Sequence, residues 1–192
     1  HVICSQNQTG EVAKKFSLDA NIVRDIADTR ELPRVEFSDG TEYIFIRLPI
    51  GSADMAETAP LLMALSSSKF ITINIHSKFT PRSTDVFLTT TTDQPNSLLP
   101  AVIASTLLEF ERKIRELADS ISTARKRLSR YEVQNADFIE FVAIEDSLNE
   151  YRSSLEGISS VVSQLQENRR KLFKARDLEQ FADISLHIRQ LL

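Results

Sequence analysis

Between residues 98 and 173, apolar side chains recur at alternating steps of three and four along two long stretches. In the first, Leu107, Phe110, Ile114, Leu117, Ile121, Ala124, Leu128 and Tyr131 form one stripe. In the second, Phe141, Ile144, Leu148, Tyr151, Leu155, Ile158, Val162, Leu165 and Leu172 do the same, and only Arg169 breaks the series. A sustained heptad stripe predicts two long helices folded back on each other with coiled-coil-like packing. A helix of about 35 residues measures roughly 50 Å at 1.5 Å per residue. Such a rod is longer than one small domain needs, so it must reach or brace something.

The first half of the chain has a different rhythm. Val2 to Cys4 reads as a short strand. Thr9 or Gly10 caps a short helix carrying Val12, Ala13 and Phe16, and Asp19 caps a second with Ile22, Val23 and Ile26 on its apolar face. Asp25 and Asp28 lie three apart and are expected to share one face of that helix. Pro33 ends this element and opens an extended one. Val35 to Phe37 and Tyr43 to Ile50 read as strands joined at Ser38-Asp39-Gly40, a hairpin signal. Leu61 to Leu65 and Phe70 to His76 form a second pair. In the latter, Phe70, Thr72, Asn74 and His76 alternate with Ile71, Ile73 and Ile75, as in a sheet with one apolar and one mixed face.

Residues 80 to 96 read as a linker holding Pro81, Pro95 and four consecutive threonines, with an apolar island at Val86 to Leu88 that fits a last edge strand. Asn96 or Ser97 starts the first long helix, whose first turn tolerates Pro100. Tyr131 to Asn135 is the expected break, with Asp137 and Glu140 as a capping box for the second long helix. Arg169, Arg170, Lys171 and Lys174 crowd the end of that helix, where cations suit its dipole. Asp177 with Gln180 is a further capping box, opening a third helix with Phe181, Ile184, Leu186, Ile188 and Leu191. That helix is still in full amphipathic stride at Leu192, which points to further sequence beyond. The predicted architecture is α+β, in α/β/α layers. A small antiparallel or mixed sheet with N-terminal helices occupies 1–95, and a long helical hairpin with the start of a third long helix occupies 96–192.

Composition narrows the function. A hydrophobic content of 42% supports a core, and a net charge of -4 lacks the concentrated basic field that nucleic acid requires. The single cysteine, Cys4, rules out an internal disulfide and a Cys-rich zinc module, and fits a cytosolic setting. With four glycines at 10, 40, 51 and 157 there is no phosphate-binding glycine loop. Apolar runs are too short to span a bilayer, and no signal peptide is visible. Cys4 reads as a small buried hydrophobe, and His76 sits on the polar side of a strand without a catalytic neighbour. His187 follows Asp183 by four residues, so the two share a helix face and have the spacing of a metal pair, although a solvated face is the plainer reading. The basic residues from Arg169 to Arg176 could meet anionic lipid headgroups, but dipole compensation explains them more simply. Nothing assembles a nucleophile, a base and an oxyanion site, so an enzyme is not expected.

One ordered set of segments carries a resemblance. It runs Ile22-Val23-Arg24-Asp25-Ile26, Glu31-Leu32-Pro33-Arg34-Val35-Glu36-Phe37 and Tyr43-Ile44-Phe45-Ile46, then the strand Phe70 to His76, the two heptad helices and Phe181-Ala182-Asp183-Ile184. It resembles the soluble domain of CorA-type divalent-cation transporters, over nearly the whole chain and in the correct order. The resemblance implies a cytoplasmic domain at the membrane face, feeding a long helix that continues into a C-terminal membrane region, with five subunits around one pore. It further implies that Asp25 and Asp183 bind regulatory Mg2+ between neighbouring subunits, with Asp28 and His187 as weaker candidates, and that Mg2+ or Co2+ is transported. This chain departs from the family at Arg24, where many members carry a second acid. That cation is expected to weaken the sensor or to bridge directly to an acid. Pairing of Asp25 with Arg24 or Arg30 in a plain surface network is the simpler expectation. Two alternatives stand beside this reading: a zinc-transporting, ZntB-like member of the same superfamily, in which the ion-sensing acids need not be kept, and a soluble helical-hairpin adaptor whose heptads bind a partner.

Overall fold

A computed structural model describes residues 1–51, 56–75, 95–128 and 135–192. In chain order it holds β1 (Val2–Ile3), α1 (Thr9–Phe16), α2 (Ala20–Asp25), β2 (Arg34–Ser38), β3 (Thr41–Pro49), β4 (Thr58–Leu65), β5 (Phe70–Asn74), α3 (Leu98–Leu128), α4 (Asn135–Gln166) and α5 (Ala175–Leu191). The strands form one mixed sheet in the order β1-β5-β4-β3-β2. Only the β1–β5 pair is parallel; the others are antiparallel. The β2–β3 turn is set by Asp39 and Gly40, whose φ angles of 46° and 78° give the positive-φ pair a two-residue hairpin needs. The expected island at Val86 to Leu88 and His76 lie outside the described residues.

The sheet is the middle of three layers, and the period-2 alternation of β3 and β4 decides which side chain faces which layer. Ile44, Ile46, Leu48, Leu61, Met63 and Leu65 meet Leu99, Ile103, Leu107 and Phe110 of α3, Leu155 and Ile158 of α4, and Phe181 and Ile184 of α5. On the other face, Tyr43, Phe45, Leu62, Ala64, Ile71 and Ile73 pack on Val12 and Ala13 of α1 and Ile22, Val23 and Ile26 beside α2. A sheet covered on both faces has almost no polar position in its central strands. This is why Tyr43 to Ile46 of β3 and Leu61 to Leu65 of β4 read as apolar runs, while the charged β3 residues Glu42 and Arg47 are paired. Cys4 is buried in the second core, and burial pushes its thiol pKa up. The α+β architecture expected from the pattern is therefore the observed one.

Several local expectations are corrected. The second long helix ends at Gln166 and does not reach Leu172. Asn168 and Lys171 follow at positive φ, 45° and 55°, and the Asn168 amide closes the connection by donating to Phe173 O (2.8 Å) and accepting from Phe173 N–H (3.1 Å). Arg169 breaks the heptad stripe because it lies past the helix end. Two of the basic residues there pair individually, Arg169 with Glu167 at 2.6 Å and Arg170 with Glu42. Asp177 is not the cap of α5 but its third residue, buried and accepting the Lys174 N–H at 2.9 Å. Likewise α4 starts at Asn135, two residues before the predicted cap Asp137. Along the stripes, Leu107, Phe110, Leu117, Ala124, Tyr151, Leu155, Ile158, Val162 and Leu165 are buried, but Phe141, Leu148 and Leu186 are exposed. The core reaches only part of α4, so Phe141 and Leu148 in its first half lie outside it, whereas Leu186, between the buried Ile184 and Ile188, sits on the outward face of α5. Where α4 crosses the start of β2, Gly157 meets Pro33: a Cβ there would stand 2.6 Å from Pro33 Cγ, so this approach requires glycine.

Candidate functional site

The residues around Asp25 are positioned by a short, well-anchored helix. Asp19 caps α2 as expected, accepting from Asn21 N–H (2.9 Å) and Ile22 N–H (3.4 Å). It also accepts the Ser38 hydroxyl at 3.0 Å, and its own N–H donates to the Tyr43 hydroxyl at 2.8 Å. The Asn21 N–H, then the Ser38 hydroxyl, hold the Asp19 carboxyl below its ordinary pKa. These bonds tie the start of α2 to the β2–β3 hairpin. The helix then ends at Asp25, close to the first residue of β2.

Arg34 organises that end. Its Nη2 donates to Asp25 Oδ2 at 2.7 Å, its Nη1 to Glu31 Oε1, and its Nε to Glu36 Oε2 at 3.3 Å. Its guanidinium lies 4.2 Å from the ring centroid of Phe45, the register partner of Arg34 across the β2–β3 ladder. Desolvation works against the charge, but Glu31, Asp25 and Glu36 outweigh it and hold the Arg34 pKa above its ordinary value. The Asp25 side chain is 44% exposed, so the pair is a surface one. Asp28 does not share a helix face with Asp25. It lies past the end of α2 and accepts the Arg30 N–H at 2.8 Å, closing a tight turn. Asp25 pairs with Arg34 rather than with Arg24 or Arg30, and Arg24 makes no ion pair among the described residues.

A second guanidinium locks the same turn to the long helices. Arg47 donates from Nη1 to Glu31 O (2.8 Å), from Nη2 to Thr29 O (3.0 Å) and Thr58 O (2.9 Å), and from Nε to Thr58 Oγ1 (2.6 Å). Its Nη2 also lies 3.6 Å from Glu150 on α4. An open cleft of about 440 Å³ runs beside it, lined by Thr29, Arg30, Ser147 and Glu150 among others. Neither Arg34 nor Arg47 was singled out as a hub from the sequence. The signal was present, an arginine on a strand beside an apolar or aromatic partner, but the carboxylates that meet it come from three different elements.

Asp183 lies in the opposite outer layer. It is exposed on α5, at the edge of a shallow depression of about 210 Å³ formed with Pro100, Ala101, Ala104, Gln180 and Ile184. Asp25 belongs to the α1–α2 layer and Asp183 to the long-helix layer, with the sheet between them. A single chain therefore does not bring the two together. His187 does not pair with Asp183 either: its Nε2 sits 3.4 Å from Glu111 Oε2 on α3. Among the described residues no three His, Cys, Asp or Glu side chains converge to hold a metal ion. The donors available at Asp25 and Asp183 are hard carboxylate oxygens, which fit Mg2+ better than a nitrogen- or sulfur-preferring ion. One Asp25 oxygen is already taken by Arg34.

The layered domain with its three long helices, exposing acids on opposite faces, defines the class: a small α/β/α unit braced by a helical hairpin. The chain belongs to the CorA-like Mg2+ transporter protein family, whose sequence profile matches residues 3–192. A search among curated proteins found no match. Among solved structures, the complete CorA magnesium transporter from Methanocaldococcus jannaschii is similar, with a TM-score of 0.86 and 18% identity over 98% of this chain. The soluble domain of that CorA gives 0.83 and 18% over 97% of this chain and 76% of its own. The ZntB cytoplasmic domain from Vibrio parahaemolyticus gives 0.64 and 12% over 98% of this chain and 80% of its own. At these identities the likeness is one of fold. The chain spans 61% of the length of the complete CorA structure. No described helix is long and apolar enough to cross a membrane.

Proposed function

We propose that this chain is the cytoplasmic regulatory domain of a CorA-like transporter for Mg2+, and also Co2+, that works as a ring of five copies around a pore in the membrane. Asp25 of one copy and Asp183 of the next share a divalent cation, which bridges two carboxylates while keeping most of its own waters. The observation that supports this is the placement of the two acids in opposite outer layers. In a head-to-tail ring each interface brings different surfaces of two copies together, so a shared site needs its two halves on different faces of one chain. Bound cation offsets the repulsion between facing acids and favours the closed ring; its loss releases the subunits and the pore. Each cation shifts that balance only by its preference for the closed state, so several weak sites must add to give a steep response.

The test is thermal unfolding of the 192-residue chain with and without millimolar MgCl2. The parent is expected to gain several degrees, and Asp25→Ala and Asp183→Ala are each expected to lose that gain. A gain that survives both substitutions would place the cation elsewhere. A second reading, a zinc-transporting member of the family, is favoured by the Asp25–Arg34 pair, because a carboxylate already neutralised is a poor cation sensor. A parent chain that shows no response to Mg2+ would move the assignment to that branch.

A further inference from the structure

We propose that Arg34 is a built-in competitor for the divalent cation at Asp25. With the cation absent, its guanidinium occupies the Asp25 carboxylate; cation binding requires that this one contact be given up. The inference rests on the cation-sensing reading above and assigns the residue that sets its threshold.

The geometry makes Arg34 suited to this. Of its four contacts, only the 2.7 Å bond to Asp25 Oδ2 involves the sensing acid. Glu31, Glu36 at 3.3 Å and the face of Phe45 at 4.2 Å hold the guanidinium where it is when Asp25 is released. Release therefore does not strand a buried charge. Arg34 meets three carboxylates at once, so it does not by itself neutralise the acids around it. The strength of the pair also matches the role. A fully buried ion pair resists displacement, but one whose carboxylate side chain is 44% exposed is worth little and is open to exchange. The sequence pointed to Arg24 as the opposing cation. Arg24 is exposed on α2 and makes no ion pair among the described residues, so the opposing charge at Asp25 is that of Arg34.

The experiment titrates MgCl2 into the 192-residue chain at constant ionic strength, made up with NaCl. It compares the parent with Arg34→Gln, Arg34→Lys and Asp25→Ala. The readouts are the midpoint of the thermal shift and of the change in sedimentation coefficient. Removing one positive charge within a few ångströms of a dication, and with it one surface ion pair, should lower the half-maximal Mg2+ concentration about five- to tenfold in Arg34→Gln. Arg34→Lys should lower it about twofold, because an ammonium keeps the charge but cannot fork between carboxylates. Far-UV circular dichroism without Mg2+ checks that each variant is folded. If the glutamine variant is not, the lysine variant carries the test with the same sign. Midpoints unchanged or raised in both Arg34 variants, alongside a parent response that Asp25→Ala abolishes, would overturn the role of Arg34 and leave the sensor reading standing. A parent response indifferent to Asp25→Ala, or no response in any variant, would overturn both.

Discussion

Phe110→Ala should destabilise the domain by about 3–5 kcal/mol, a large share of the ~5–15 kcal/mol that holds a typical domain folded. Phe110 is fully buried, and its ring meets Tyr151 edge to face at 5.6 Å and 90°. It sits in the core cluster that joins the inner face of the sheet to all three long helices. Truncation removes the apolar area of the ring and leaves a cavity that three separate elements would have to move to fill. The aromatic pair with Tyr151 is worth a further fraction of that loss. Leu108, two residues away and 60% exposed, is the internal control. Leu108→Ala should change stability by no more than about 0.5 kcal/mol, as surface substitutions do. Urea unfolding of both variants measures the difference. A Phe110→Ala loss near that of Leu108→Ala would mean that the long helices are not anchored on the sheet as described.

Arg170→Ala should produce a loss that depends on pH. Arg170, from the connection between α4 and α5, donates to both oxygens of Glu42 at 2.8 and 2.9 Å and lies 4.0 Å from the ring centroid of Phe37. Glu42 is 5% exposed at the second residue of β3. Burial pushes its pKa up, and the charge and hydrogen bonds of Arg170 pull it part of the way back. The sign follows from proton linkage. Between the ordinary carboxylate value and the raised native value, the folded chain binds more protons than the unfolded chain, so stability falls as pH rises through that window. Without Arg170 the downward pull is gone, the native pKa rises further, and an unpaired buried carboxylate remains at neutral pH. The expected cost is roughly 2–3 kcal/mol at pH 7.5, below that of a fully buried pair because the Arg170 side is half exposed. It should be smaller at pH 5 than at pH 7.5, because lower pH favours the protonated form of Glu42. Adding Glu42→Gln to Arg170→Ala should recover most of the loss at pH 7.5. A loss that is the same at both pH values would show that the buried charge of Glu42 is not its source.

Much of this was legible because it rests on local rules. The heptad stripes gave two long helices, the Ser38-Asp39-Gly40 signal gave the hairpin, and Asp19 gave a cap. The misreadings came where a periodic pattern ran past the structure that used it. Leu172 continues the three-and-four spacing of α4, yet Asn168 had already ended the helix. An asparagine three residues after Leu165 was the available sign, since this residue tolerates the left-handed conformation that closes helices. Phe141 and Leu148 keep the helical period but lie beyond the sheet that buries Tyr151 and Leu155. Asp25 and Asp183 were placed on their helices correctly. That Asp25 meets Arg34 could not be read from spacing, because the guanidinium gathers acids from the end of α2, from the turn after it and from β2. Such a meeting is fixed by the tertiary fold, and no single-element pattern encodes it.

The central claim is that Asp25 and Asp183 act across two copies, and a mixing experiment tests it most directly. Neither Asp25→Ala nor Asp183→Ala alone can form the complete pair. Mixed together, Asp183 of the first variant can face Asp25 of the second at one interface and no more. Sedimentation velocity of the mixture in millimolar MgCl2 is predicted to show a heterodimer that neither variant forms alone, that EDTA dissolves, and that grows no larger, while the parent chain assembles further. A mixture that stays monomeric under conditions where the parent assembles, or single variants that assemble as the parent does, would contradict the account.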